Sequence, residues 1–310
     1  MSYLSFFGLK DDPFKITPDV RYFYPSKTHR YALHLLEYVV EHKEGFCVII
    51  GEPGTGKTTV VRKFLSSLEE DKFIYALVLT PNLTPEEFLK TVLQELKVEK
   101  VNLKEDSKND LLKKFQSFLL ENVKKGKRIL IIVDEAQNLP IDTLEELRTL
   151  SNLETEREKL IQIILLGQPE LEDKLKLPQL RQLNQRITSK VFLQPLSKEE
   201  TVKYINHHIK EAGGDNVEIT KSAFSKIYKY SQGIPRVINI LTSRSLMAAF
   251  LENSTKVKGK HVETARYTLN PDIIPGYKES NRDYYIILTL ILLNIVGILY
   301  IVYKLLFEGG

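Results

Sequence analysis

The chain has 310 residues, 43% of them hydrophobic and 27% charged, which is globular composition with enough length for a full core and a smaller second domain. The formal net charge of +4 is too weak to make nucleic acid a partner on composition alone. One cysteine, Cys47, excludes an intrachain disulfide, and its apolar setting suits a small buried hydrophobe.

The N-terminus does not read as a signal peptide. Met1 to Leu9 has no basic run, and the apolar stretch stops at Lys10-Asp11-Asp12. Strand and helix patterns then alternate from residue 45 to 195, which implies a parallel sheet with helices on both faces. Phe46–Ile50 is a continuous apolar run, as expected of a strand buried on both sides.

Directly after it comes Gly51-Glu52-Pro53-Gly54-Thr55-Gly56-Lys57-Thr58, a complete match to the phosphate-binding loop. The glycines let such a loop wrap closely and aim backbone N–H groups at phosphates, and the following helix adds its N-terminal dipole. Gly51 to Thr59 is the expected nucleotide-binding stretch, with Lys57 on the β/γ-phosphates and Thr58 on Mg²⁺.

The helix after the loop is expected to run through Phe64 and Leu68, with a second strand at Phe73–Leu79. Thr84-Pro85-Glu86-Glu87 combines an N-cap, an N1 proline and an N3 glutamate, so a helix starts there. Another is expected over about Asn109 to Val123. The basic run Lys124-Lys125-Gly126-Lys127-Arg128 lies between that helix and the third strand, and reads as a solvated loop before it reads as a DNA contact.

The third strand, Ile129–Val133, ends in Asp134-Glu135. Carboxylates at the C-terminal edge of a parallel sheet lie where ligands collect. Asp134 is expected to hold Mg²⁺ through its water shell, and Glu135 to orient and polarise the attacking water. Leu160–Leu166 is the fourth strand, and Gln168 just beyond it is a candidate contact for the γ-phosphate or that water, against a plain strand-to-loop role.

Before a short fifth strand at Val191–Leu193 stands Leu180-Arg181-Gln182-Leu183-Asn184-Gln185-Arg186-Ile187. An arginine there can reach a neighbouring subunit's γ-phosphate if the protein forms a ring. Arg186 is the first choice and Arg181 the second.

After Pro195 the strands stop. Ser197-Lys198-Glu199-Glu200 is a second capping box, and helices are expected at about 198–212, 221–231, 235–253 and 259–267. Gly233-Ile234-Pro235-Arg236 ends one helix and starts the next, with Arg236 in the new first turn. The helix dipole disfavours a cation there, a mild hint of another purpose, reaching the ATP phosphates from a lid, against a plain surface arginine.

Residues 268–283 are polar, with two prolines and a glycine, and read as a linker. Tyr284 to Tyr303 carries no charge, and at about 1.5 Å per residue it reaches about 30 Å, a bilayer core. Tyrosines cluster at both of its ends, and Asp283 and Lys304 bracket it. The expected organisation is an α/β ATPase domain at 1–195, a helical lid at 196–267, a linker at 268–283, a transmembrane helix at 284–303 and a short tail at 304–310. Arg266, Lys278 and Arg282 precede the span while Lys304 follows it, so the positive-inside rule puts the ATPase domain in the cytoplasm of a single-pass inner-membrane protein.

The order of P-loop, Asp-Glu, polar strand end, arginine and helical lid with Gly-x-Pro-Arg is the AAA+ layout. Tyr3-Leu4-Ser5-Phe6-Phe7-Gly8-Leu9, Pro13-Phe14, Thr17-Pro18-Asp19, Phe23-Tyr24 and His29 make the resemblance closer. So do Leu150 to Thr155, Gly167-Gln168-Pro169-Glu170-Leu171 and Gly233 to Asn239. Over residues 3 to 267 the chain resembles the ExeA/GspA-like family, AAA+ ATPases of type II secretion and related pilus systems. The resemblance implies Gln168 as sensor 1, Arg236 as sensor 2, an arginine of 181–186 as the finger, Tyr22 to Tyr24 near adenine, and Asn82 where many relatives restrain the catalytic glutamate. It also implies ATP and Mg²⁺, a homo-oligomer, and an envelope-assembly partner. Typical members continue past the span into a periplasmic peptidoglycan-binding domain. This sequence ends at Gly310, and the expectation is a membrane-anchored ATPase that energises or regulates assembly of a secretion, pilus or envelope export system, with a shorter relative fitting equally well. The alternative is an AAA+ ATPase acting on nucleic acid, as transposition regulators of this subclass do, and the membrane span and modest charge argue against it.

Overall fold

The structure is a computed structural model that describes residues 2–17, 19–79, 82–99, 101–102, 106–153, 159–214, 217–270, 273 and 275. One compact unit ends at Thr268, and residues from Leu269 onward make a second. The expected span at 284–303, the tail at 304–310 and nearly all of the linker lie outside the described residues. Among the described residues no helix is long and apolar enough to cross a membrane.

Strands β1 (Phe46–Gly51), β2 (Phe73–Val78), β3 (Arg128–Val133), β4 (Ile161–Gly167) and β5 (Ile187–Leu193) form one sheet in the order β2-β3-β4-β1-β5, and every pair is parallel. The three central strands are buried on both faces, which is why they read as unbroken apolar runs. In β1, Phe46, Val48 and Ile50 feed one core cluster, while Cys47 and Ile49 feed the opposite one. Burial pushes the Cys47 thiol up to about 12, so it behaves as the small hydrophobe its setting suggested.

The fifth strand is longer than expected, pairing with β1 from Ile187 onward. As an edge strand it exposes Thr188 and Phe192, so its first half alternates and does not stand out as apolar.

Helices α1 (Tyr3–Phe6), α2 (Lys27–Glu41), α3 (Lys57–Leu65), α4 (Pro85–Glu95), α5 (Lys108–Lys124), α6 (Ile141–Leu150), α7 (Pro169–Leu175) and α8 (Arg181–Arg186) lie before or between the strands. The capping box at Thr84 is present in full: the Thr84 hydroxyl accepts from Glu87 N–H, and the Glu87 carboxylate accepts from Thr84 N–H. Helix α2 has its own periodic face, Ala32, Leu36, Val39 and Val40, buried against the sheet.

Helices α9 (Lys198–Glu211), α10 (Lys221–Ser231), α11 (Pro235–Leu251) and α12 (Gly259–Tyr267) build the helical part, with a two-residue strand pair, Glu218–Ile219 and Lys256–Val257, at one side. Their core is not theirs alone. Phe7, Leu9, Phe14 and Tyr22 pack in the same cluster as Leu196, Tyr204, Ile205 and Ile238, and Lys10 N–H donates to Ala212 O at 2.8 Å. The N-terminal segment, read from the sequence as part of domain 1–195, therefore packs with the helices. Both faces of the sheet are already covered, and buried aromatics of about 1.5–3 kcal/mol each go where apolar surface is still open.

Candidate nucleotide site

Between β1 and α3 the chain turns through the P-loop. Thr55 Oγ1 donates to Glu52 O at 2.7 Å, which closes the turn locally. Helix α3 starts after Gly56 with no side-chain cap, so its first N–H groups stay open to an anion. Lys57 is 5% exposed, and its ammonium donates to Gly51 O at 2.7 Å and Glu52 O at 3.2 Å. Burial lowers its pKa, against the opposing pull of Glu135 and Asp134. Among the described residues the hydrogen bonds of this nearly dry cation go to backbone carbonyls, which suits it to an anionic ligand. Glu52 and Pro53 are exposed; Gly54, Gly56, Lys57, Thr58 and Thr59 line a cleft of about 380 Å³.

The loop is gripped from α2. His29 Nε2 lies 2.9 Å from Thr55 O, and its Nδ1 lies against Ser26 Oγ. Burial lowers the His29 pKa, so the neutral ring donates from Nε2 to Thr55 O and accepts the Ser26 hydroxyl at Nδ1. In the sequence His29 stood out only as part of a family pattern.

The two carboxylates at the end of β3 part company. Asp134 is buried, and its Oδ2 accepts from Thr58 Oγ1 at 2.6 Å, while Oδ1 caps the backbone N–H of Glu135 at 2.9 Å. Glu135 is half-buried and faces the cleft. Its Oε2 accepts from Gln168 Nε2 at 2.9 Å and from Gln137 Nε2 at 2.6 Å. Burial works to raise the Glu135 pKa, but the two amide donors and the Lys57 charge outweigh it and the net shift is downward. Gln168 thus touches the glutamate, as its position beside β3 allows, because β4 pairs with β3. Gln137 was missed: its signal is proximity to Glu135 in a turn, and no periodic pattern marks it. Asn82 is exposed, and the donors that hold the Glu135 carboxylate are Gln137 and Gln168.

The lid closes on the loop through its backbone. Arg236 N–H donates to Gly54 O at 3.2 Å, and a methyl added to Gly54 would come within 2.7 Å of Arg236 Cβ. The Arg236 side chain is exposed in the first turn of α11 and lines the cleft. Lid and base also meet at Glu200, whose Oε1 accepts from Lys27 N–H at 3.0 Å, while Oε2 caps α9 at Ser197. The far side of the cleft is aromatic, with Tyr22, Phe23, Tyr24 and Tyr204, and Lys15 to Thr17 at its rim. Arg186 NH1 donates to Ser151 Oγ at 3.0 Å, Arg181 is exposed at the other end of the same helix, and neither lines the chain's own cleft.

Residues 40–175 match the model of the AAA domain family. The chain is 40% identical over 268 residues to General secretion pathway protein A of Aeromonas hydrophila, a match covering 86% of this chain and 48% of that protein. Among solved structures, the ORC2 protein of Aeropyrum pernix is similar with a TM-score of 0.63 at 16% identity, over 84% of this chain and 72% of that one. Cdc6p of Pyrobaculum aerophilum gives a TM-score of 0.65 at 17% identity, over 87% and 73%. Identities that low carry the fold alone. The chain spans about half the length of General secretion pathway protein A, 48% of it. With the P-loop, the Asp134–Glu135 strand end and the β2-β3-β4-β1-β5 sheet in one body, the chain is an AAA+ P-loop protein and belongs to the ExeA/GspA-like family.

Proposed function

We propose that the protein binds ATP with Mg²⁺ and hydrolyses it. The observation that carries this reading is the Thr58 hydroxyl on Asp134 Oδ2 at 2.6 Å, beside a half-buried, ionised Glu135. A hydroxyl and a carboxylate are the hard oxygen donors that Mg²⁺ takes, so the residues fit the ion. The chemistry Mg²⁺ supplies when bound is neutralisation of charge on the phosphate oxygens. Lys57 would exchange its two carbonyl partners for β/γ-phosphate oxygens. Glu135 would accept a proton from the attacking water, and Gln168 would keep it oriented. Arg236 would reach the phosphates from the lid. The aromatic wall at Tyr22 to Tyr24 suits the base.

The finer reading is a membrane-anchored motor or switch for envelope assembly. The uncharged run 284–303 supports the anchor, with more positive charge before it than after, so the ATPase body would lie on the cytoplasmic side of a bacterial inner membrane. Similarity to a general secretion pathway protein supports the process. In a ring, Arg186 or Arg181 would complete the neighbour's site, which fits their position outside the chain's own cleft.

The test is a pair of variants in the full-length protein. Lys57→Ala should lose nucleotide binding, and Glu135→Gln should bind ATP and retain it. Wild-type hydrolysis by Glu135→Gln would remove the assigned water-activating group. Recovery of the full-length protein in the soluble fraction without detergent would remove the anchor.

A further inference from the structure

Glu135 sits at φ +53, a left-handed conformation unfavourable for a residue with a side chain, so something nearby must hold it there. The next turn, Ala136–Asn138, supplies the holder. Gln137 Nε2 donates to Glu135 Oε2 at 2.6 Å, and Gln137 Oε1 accepts from the backbone N–H of Gln168 at 3.2 Å. Gln168 closes the ring by donating its own Nε2 to the same Oε2 at 2.9 Å. The orientation of the Gln137 amide is not arbitrary. A backbone N–H can only donate, so the group facing it is the amide oxygen and the group facing Glu135 is the amide nitrogen.

The turn that carries Gln137 is fixed from outside. Lys174 on α7 donates its ammonium to Gln137 O at 3.0 Å and to Leu139 O. Because α7 begins directly after Gln168, the end of β4 sets both the side chain and the backbone of Gln137. Both amide donors fall on Oε2. Among the described residues no hydrogen bond falls on Oε1, and Glu135 lines the cleft.

We infer that Gln137 is a positioning residue for hydrolysis: it anchors Glu135 by one carboxylate oxygen to the end of β4 and leaves the other oxygen to take the water. The inference rests on the reading of Glu135 as the group that activates water.

The experiment uses the full-length protein in detergent and measures kcat and KM for ATP. Gln137→Leu keeps the bulk and removes both hydrogen bonds. Gln137→Asn keeps the amide but shortens the arm by one methylene, so it cannot span Glu135 and Gln168 together. Both should lower kcat about tenfold or more and leave KM for ATP within about twofold. In a Glu135→Gln background, Gln137→Leu should cause no further loss. If either variant folds and turns over at or above the wild-type rate, while Glu135→Gln is inactive, the positioning role is overturned and the Glu135 reading stands. If Glu135→Gln itself turns over normally, both fall.

Discussion

Replacing Gly233 with alanine tests how the lid is set on the loop. Gly233 has φ +79, and a Cβ there would lie 2.0 Å from the carbonyl oxygen of Leu196. The left-handed conformation alone costs a non-glycine residue about 1–2 kcal/mol. The overlap is with backbone, so it is relieved only by opening the contact by about 1 Å, and that breaks the bond from Leu196 N–H to Gly233 O, now 2.8 Å. Losing it adds about 0.5–1.5 kcal/mol. The expected destabilisation is therefore about 1.5–3.5 kcal/mol before any repacking. For a body of this size that lowers Tm by about 3–14 °C. Gly126→Ala is the matched control: its φ is +76, but nothing lies within 4 Å of the added methyl, so it carries the conformational part alone. Thermal unfolding of both variants separates the two contributions. ATP affinity gives a second readout, because Gly233 leads through Pro235 to Arg236, whose N–H holds Gly54 O. A Gly233→Ala protein that melts no lower than Gly126→Ala and binds ATP normally would refute the argument that this backbone contact positions the lid.

Two further outcomes are expected. His208 is buried against Phe14, Tyr22 and Tyr204 and has its pKa lowered to about 4 by burial; the unfolded chain protonates it near 6.5. Stability from this group is thus full above pH 6.5 and is lost as pH falls towards 4, by about 2–3 kcal/mol at pH 4.5. Denaturant unfolding at pH 7 and pH 4.5 should show that much less pH sensitivity in His208→Gln than in wild type, and an equal slope in both would rule the group out. For the arginines, Arg186→Ala should cut turnover while ATP binding persists, and mixing it with Glu135→Gln protein should restore some activity at hybrid interfaces. Turnover per subunit that stays constant on dilution to monomer would remove the finger in trans, and a loss confined to Arg181→Ala would move the role to that residue.

What the sequence determined by itself is what local pattern encodes. Strands β1, β3 and β4 were legible because burial on both faces leaves no polar residue to break the run. The helix starts at Thr84 and Ser197 were legible because a capping box closes within four residues, and both are present with their paired hydrogen bonds. The P-loop and Asp134–Glu135 followed from the residue types that phosphate and Mg²⁺ chemistry demands, and the Thr58–Asp134 bond brings the two motifs together. The edge strand β5 was half hidden, since an edge exposes every second side chain. Only the tertiary structure decided which surfaces meet. It put the N-terminal aromatics in the helical core, His29 on Thr55 O, Glu200 on Lys27 N–H across 173 positions, Arg186 on Ser151, and Gln137 between Glu135 and Gln168. None of these contacts has a period or a spacing. Each exists because a polar or apolar group left over by its own element found its partner on another, and that choice is made by the packed chain as a whole.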